Sequence, residues 1–274
     1  MVEYLIYVTY FIRKGYAFSM NILFIGDVVG KPGRDYLTEN LGKIKRENKI
    51  DFCICNGENS AHGNGATAET ARQLFEAGAD IITMGNHTFK NNAQKLFDDC
   101  NFVIRPINYP NTLPGEGSII FDTGSVKIGV INAQGRIFMD PLDSPFTACK
   151  KEAARMKNEC DLILIDFHAE TTSEKAAMAH FLDGEVTAVL GTHTHVQTAD
   201  ETILEKGTAF ISDVGMTGVK DSILGVDKNI IVQRFVNHLN QKFVIAEGKV
   251  MFNGVVIEAD PKTKKAISIR RLNF

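Results

Sequence analysis

Two histidines one residue apart, His193 and His195, stand in the segment Gly191-Thr192-His193-Thr194-His195. The apolar run Val186-Thr187-Ala188-Val189-Leu190 precedes them and reads as a buried strand. Just past a strand end, such a pair can aim imidazole nitrogens into one space, and neutral imidazole is the commonest protein ligand for metals. An isolated His-x-His also fits a polar surface loop. Four other strand ends carry residues of ligand type: Asp27, Glu58, Asn86 with His87, and His168. Each alone has an ordinary explanation, such as a turn cap for Asp27 or a hydrogen-bonded core histidine for His168. Their occurrence at all five strand ends is the improbable part. Two carboxylates, one amide oxygen and three imidazoles are too many for one tetrahedral ion. Mixed nitrogen and oxygen donors without thiolate suit two divalent ions such as iron, manganese or zinc.

The elements that must position these residues follow from the apolar pattern. A first clean strand opens at Met20 and ends at Asp27, and Gly30-Lys31-Pro32-Gly33 reads as a turn. Leu37, Leu41 and Ile44 form a helical stripe over residues 34–48. A strand over 50–55 ends at Asn56-Gly57-Glu58-Asn59, and a helix over 67–77 leads to the strand 79–84 before Gly85-Asn86-His87. A helix over 91–99 follows. Two long loops, 105–117 and 133–146, flank a hairpin around Thr123-Gly124. A helix over 147–158 precedes the strand 162–167 that ends at His168, and Ser173 reads as the cap of a helix over 173–182. After His195 the pattern gives a strand over 208–212, a helix over 228–239, and strands over 243–246, 250–259 and 267–272. Early βαβ alternation with later hairpins implies an α/β architecture with mixed sheets, and ligands in such sheets bind beyond the carboxyl ends of the strands.

Composition narrows the function classes. The chain has 274 residues and a net charge of −3, which offers no general attraction for nucleic acid. Five cysteines make no Cys-x-x-Cys pair, and an odd count argues against a disulfide framework. Buried free thiols in a reducing cytoplasm fit best. Residues 1–19 are apolar and aromatic, but Arg13 and Lys14 interrupt them and leave too short a run to span a bilayer. Glu3 sits where a signal peptide carries positive charge. The expectation is a start at Met20, with 1–19 as an upstream extension and 20–274 as one domain.

The motifs, taken together, are recognisable. Asp27-Val28-Val29-Gly30-Lys31-Pro32-Gly33-Arg34, Asn56-Gly57-Glu58-Asn59, Gly85-Asn86-His87-Thr88, Asp166-Phe167-His168, Gly191-Thr192-His193-Thr194-His195-Val196 and Asp213-Val214-Gly215-Met216-Thr217-Gly218 occur in this order from near Met20 towards the C-terminus. The set resembles the YmdB-type metallophosphodiesterases of the calcineurin-like metallophosphoesterase superfamily. The resemblance implies a four-layer α/β/β/α sandwich with two mixed β-sheets and a dinuclear centre, usually iron. By the motif match, Asp27, Glu58, Asn59 and His195 would bind one metal. Glu58, as a bridge, with Asn86, His168 and His193 would bind the other, and His87 matches the proton donor. Departures from the wider superfamily are Val28-Val29 in place of Asp-x-His, Glu58 where Asp is common, and Thr88 where an acidic residue is common. These agree with the YmdB branch. Ala169 follows His168 where that branch is expected to carry glycine.

The implied chemistry rests on charge. A phosphodiester repels anionic nucleophiles, whereas two cations about 3.5–4 Å apart bind its oxygens and lower the pKa of bridging water. Hydroxide held between them would attack phosphorus, and His87 would protonate the leaving alkoxide. The resemblance points to 2′,3′-cyclic nucleotides as substrates. His62 and Arg136 are weaker candidates for substrate contact. Asp213 is a candidate support for a ligating histidine, and Lys31 with Arg34 mark a helix start that would hold an anion or be solvated. The partner expected is a small phosphodiester, with no stable nucleic-acid complex and no membrane; a homo-oligomer stays open. Competing readings are a phosphomonoesterase or nucleotidase on the same scaffold, and a metal-binding regulator with little catalysis. An amidohydrolase-type metal hydrolase also uses His-x-His, but after an early barrel strand, whereas this pair is late.

Overall fold

The structure is a computed structural model and describes residues 19–238 and 241–274. The expected N-terminal extension, apart from Ser19, lies outside the described residues. In chain order the elements are β1 (Met20–Ile25), β2 (Asp27–Val28), α1 (Gly30–Glu47), β3 (Phe52–Asn56), α2 (Ala68–Ala77), β4 (Ile81–Thr83), α3 (Ala93–Asp99), β5 (Val103–Ile104), β6 (Ser118–Asp122) and β7 (Lys127–Gln134). Then come α4 (Pro145–Met156), β8 (Leu162–His168), α5 (Thr172–Phe181), β9 (Ala188–Thr192), β10 (Thr202–Ile203), β11 (Ala209–Ile211), β12 (Met216–Val219), α6 (Lys228–Asn237), β13 (Val250–Met251), β14 (Asn253–Asp260) and β15 (Lys265–Asn273).

Alternation along the strands builds the layers. Successive side chains of a strand point to opposite faces. In β1 and β3, Ile22, Phe24, Phe52 and Ile54 face a core shared with Ile128, Val130, Leu162, Leu164 and Leu190 of the other sheet. Leu23, Ile25, Cys53 and Cys55 face Leu37 and Leu41 of α1 and Leu74 of α2. In the second sheet, Ile131, Ile163, Ile165 and Val189 turn the other way, onto Cys149 and Met156 of α4 and Met178 of α5. Three apolar seams therefore separate helices, sheet, sheet and helices, the expected four-layer α/β/β/α sandwich.

Both large sheets are mixed. The first has the order β15-β14-β1-β3-β4-β5, and the second β10-β11-β9-β8-β7-β6. In the first sheet β1, β3, β4 and β5 run parallel, with antiparallel β14 and β15 on one side and β5 as the other edge; in the second, parallel β11, β9, β8 and β7 lie between antiparallel β10 and β6. A third, small sheet of order β13-β12-β2 was not anticipated. It removes Asp27 from the end of β1: the chain breaks at Gly26, and Asp27 pairs with Met216 in a short strand of its own.

Three local expectations are corrected. The segment 30–33 opens α1 instead of forming a turn. Its first N–H, on Gly30, is satisfied by the Asn59 carbonyl at 2.9 Å, and Pro32 lies in the first turn, where a missing N–H costs nothing. Thr171, not Ser173, caps α5, its hydroxyl accepting the Glu174 N–H. Residues 243–246 make only an isolated bridge, Ile245 with Val226, because a β-prone run forms a strand only where it finds a ladder to join. All five cysteines are buried and free, and burial pushes the Cys53 and Cys149 thiols up to about 12. Among the described residues no helix is long and apolar enough to cross a membrane.

Candidate metal centre

The strand ends converge. Glu58 follows β3, Asn86 and His87 follow β4, His168 closes β8, and His193 and His195 follow β9. Asp27 arrives on β2. Asp27, Glu58 and His168 are fully buried. His168 Nε2 lies 3.0 Å from Glu58 Oε1, 3.0 Å from Asn86 Oδ1 and 3.0 Å from His193 Nδ1. Donor atoms of Glu58, His168 and His193 all lie within 4.8 Å of one another, close enough to hold one ion. Beside them, His195 Nε2 is 3.6 Å from Asp27 Oδ1 and 3.1 Å from Asn59 Nδ2. The Asn59 amide also reaches Asp27 Oδ1 and Glu58 Oε1, each at 3.3 Å, so it links the two groups. All seven residues expected as ligands thus share one space.

His87 sits at the rim with its side chain partly exposed. Its backbone N–H donates to Glu58 Oε2 at 2.9 Å. Its Nδ1 lies 2.9 Å from Asn59 Oδ1 and 3.3 Å from Glu58 Oε1, leaving Nε2 outside those contacts.

The electrostatics show charges compensating one another in a buried space. Burial opposes ionisation of Glu58, but His168 and His87 outweigh it and hold the carboxyl well below the usual range. Burial likewise opposes ionisation of Asp27, and His195 and His168 reverse it. Burial works against the His168 charge, yet Glu58 and Asp27 push its pKa up to about 9. Burial and the neighbouring His168 charge bring His193 down to about 3, leaving a neutral imidazole. Two buried carboxylates side by side require a compensating positive charge, the role a bound cation would fill in a metal site.

The backbone is shaped to make this crowding feasible. His193 and His195 adopt φ of 101° and 64°, in the left-handed region that residues with a Cβ seldom occupy. Such strain persists where the surroundings over-determine it. Between them, Thr194 donates through N–H (3.0 Å) and hydroxyl (2.8 Å) to Asp213 Oδ2, which also accepts from the buried Lys175 Nζ at 2.7 Å. Asp213, expected beside a ligating histidine, instead grips Thr194 between the two histidines. A Cβ on Gly85 would fall 2.3 Å from Glu58 Oε2 and 2.4 Å from His168 Nε2, so only glycine lets β4's exit pass this close to the donors.

Other expectations fall elsewhere. His62 is exposed and lines a hollow of about 700 Å³ with Lys31, Tyr36 and Ile245, separate from the donor cluster. The Arg136 side chain is exposed, and its backbone N–H donates to Glu174. Neither side chain is hydrogen-bonded to the cluster. Lys31 pairs with Asp35, and Arg34 is bound to Gln73 and the Ser60 carbonyl, where it pins the loop after Glu58. The anion-holding and solvated readings of Arg34 both give way to this internal role. Two groups that orient the histidines escaped sequence reasoning. Glu170 Oε2 lies 3.0 Å from His193 Nε2, turning Nδ1 into the cluster. The Leu224 carbonyl accepts from His195 Nδ1 at 3.1 Å, turning Nε2 inward. Glu170, two residues past His168, left a trace in the sequence; a main-chain oxygen left none.

Known proteins share this arrangement of sequence and fold. The profile of the YmdB-like proteins matches residues 23–272. A 2′,3′-cyclic-nucleotide 2′-phosphodiesterase of Bacillus subtilis (strain 168) is 50% identical over 254 residues, which cover 92% of this chain and 96% of that protein. A crystal structure of a hypothetical protein from Thermus thermophilus superposes with a TM-score of 0.87 at 40% identity, covering 93% of this chain and 99% of the other. That of a novel phosphatase from Mycoplasma pneumoniae gives a TM-score of 0.88 at 36% identity over 94% of each chain.

Proposed function

The chain belongs to the YmdB-like family, and on that footing we propose that it is a metal-dependent phosphodiesterase hydrolysing 2′,3′-cyclic nucleotides. The observation that carries the proposal is the buried convergence of Glu58, His168 and His193 donor atoms beside the Asp27–His195 pair. The name of the Bacillus subtilis relative supports the substrate class. The donor set fits two divalent cations: carboxylate, amide and imidazole, with no thiolate.

In this reading Asp27, Glu58, Asn59 and His195 hold one ion, and Glu58, Asn86, His168 and His193 the other, with iron as the resident metal. Bound cations supply neutralisation of phosphoryl oxygens and activation of water. The chain's own residues do the rest. Glu58 spans both groups and fixes the His87 main chain through its other oxygen. Asn59 would ligate through Oδ1 with its carboxamide turned over, since Nδ2 has no lone pair to give. His87, held at Nδ1 by Glu58 Oε1, would offer Nε2 to the leaving oxygen as proton donor. Opening the 2′ ester leaves the phosphate on the 3′ oxygen. The five buried free thiols support a reducing compartment, the cytoplasm. The phosphatase description of the Mycoplasma pneumoniae structure favours a second reading, monoester hydrolysis at the same centre. The test is turnover of 2′,3′-cyclic AMP against 3′-AMP after anaerobic loading with iron, manganese or zinc. Conversion of the cyclic diester to 3′-AMP is expected. Release of phosphate from the monoester alone would favour the second reading, and no turnover of either would overturn both.

A further inference from the structure

Beneath the donor cluster lies a carboxylate assigned no role so far. Asp166 is on β8, two residues before His168, and is fully buried. Its Oδ1 accepts from Thr192 Oγ1 at 2.7 Å. Its Oδ2 accepts from Asn56 Nδ2 at 2.9 Å and from the Thr83 hydroxyl. These three donors stand at the ends of β9, β3 and β4, the strands that deliver His193 and His195, Glu58, and Asn86 with His87. Asn56 passes the constraint on, because its Oδ1 accepts the Glu58 N–H at 3.1 Å. One side chain thus ties together strand ends from both sheets, directly under the ligands they carry.

The direction of the hydrogen bonds follows from atom types. Thr192 Oγ1 donates to Asp166 Oδ1, so the hydroxyl proton points at that carboxyl. With its proton committed, Thr192 Oγ1 must accept from its other neighbour, His168 Nδ1, at 2.9 Å. His168 therefore carries a proton on Nδ1 and turns Nε2, the atom amid Glu58, Asn86 and His193, towards the ligand space. Hydrogen bonding at one ring nitrogen fixes which nitrogen is free to ligate.

We propose that Asp166 is a positioning residue for the metal centre, acting through Thr192 on the tautomer of His168 and through Asn56 and Thr83 on the turns that carry Glu58 and Asn86. This rests on the metal-site reading above, and the test separates the two. Zinc serves as the probe, with binding counted per chain and challenged by a chelator. Wild type and Thr192→Ser, which keeps the hydroxyl, are expected to hold two zinc ions equally well. Thr192→Val keeps the shape but removes the hydroxyl, and is expected to release the zinc at His168 about 10–100-fold more readily. Asp166→Asn, which must turn an NH2 towards a donor, is expected to weaken it as well. Circular dichroism and melting temperature establish that the variants are folded. A Thr192→Val chain that holds both ions like wild type would overturn the proposal while leaving the metal site standing. A wild-type chain that binds no zinc would overturn both. Independently of any variant, 15N histidine spectra of the zinc-loaded wild type are expected to show His168 protonated at Nδ1 and metal-bound at Nε2; the reverse assignment would also overturn it.

Discussion

The donor cluster and the segment 224–238 meet where His195 Nδ1 donates to the Leu224 carbonyl, yet they are built on opposite terms. In the cluster, Asp27, Glu58 and His168 are fully buried, and the ligand-bearing turns are fixed by hydrogen bonds from both sheets. In the segment, Ile231 is the buried residue of α6, while Val232, Phe235 and Val236 are 51%, 76% and 71% exposed. Polar groups are inside in one region and apolar groups outside in the other. The difference teaches where specificity resides. Buried polar groups are costly unless satisfied, so their geometry is narrowly determined, whereas exposed apolar residues constrain the fold little.

Substitutions that break this contrast should rank accordingly. The largest effect is expected from Gly85→Ala, whose methyl group would occupy the space of Glu58 Oε2 and His168 Nε2. Metal analysis should find less than stoichiometric binding, with cyclic-nucleotide hydrolysis at background. Next, His87→Ala should keep both metals while kcat falls ~10²–10⁴-fold, the range for losing a general acid. Near-normal turnover would remove His87 from the proton-donor role.

These two positions also show how far the sequence can be read. The ligand types at strand ends are visible because Asp, Glu, Asn and His beyond apolar runs are local signals. The four-layer stacking is legible through the family likeness, while the βαβ alternation by itself gives an α/β architecture with mixed sheets. The pairings that orient the ligands are not legible, even where a partner such as Glu170 stands near a motif residue. The Leu224 carbonyl belongs to a main chain that every residue has, and Glu170 and Asp166 matter only through the fold. Asp27 reads as the end of β1 because Gly26 gives no sign that the chain breaks there to join β12. The run 243–246 reads as a strand because β-branched residues report propensity, while a strand also needs an edge to pair with.

A third substitution tests the support under the histidine loop. Lys175→Met would leave Asp213 buried without its ion-pair partner, and urea unfolding should show a loss of ~3–5 kcal/mol. A loss below about 1 kcal/mol would mean that the pair contributes no more than a surface salt bridge. The smallest effect is expected on the other side of the comparison. Phe235→Ser on α6 should change stability by no more than ~0.5 kcal/mol, the range for surface positions, with metal content and turnover unchanged. A large loss of metal on this substitution would show that the segment governs the cluster through Leu224.

The central claim, that the strand ends cage a pair of divalent cations, is tested most directly by counting metal in the chain purified without oxygen and loaded in turn with iron, manganese and zinc. Two ions per chain, with at least one lost in Glu58→Gln, is the predicted result. Absence of stoichiometric metal under all three conditions would contradict it.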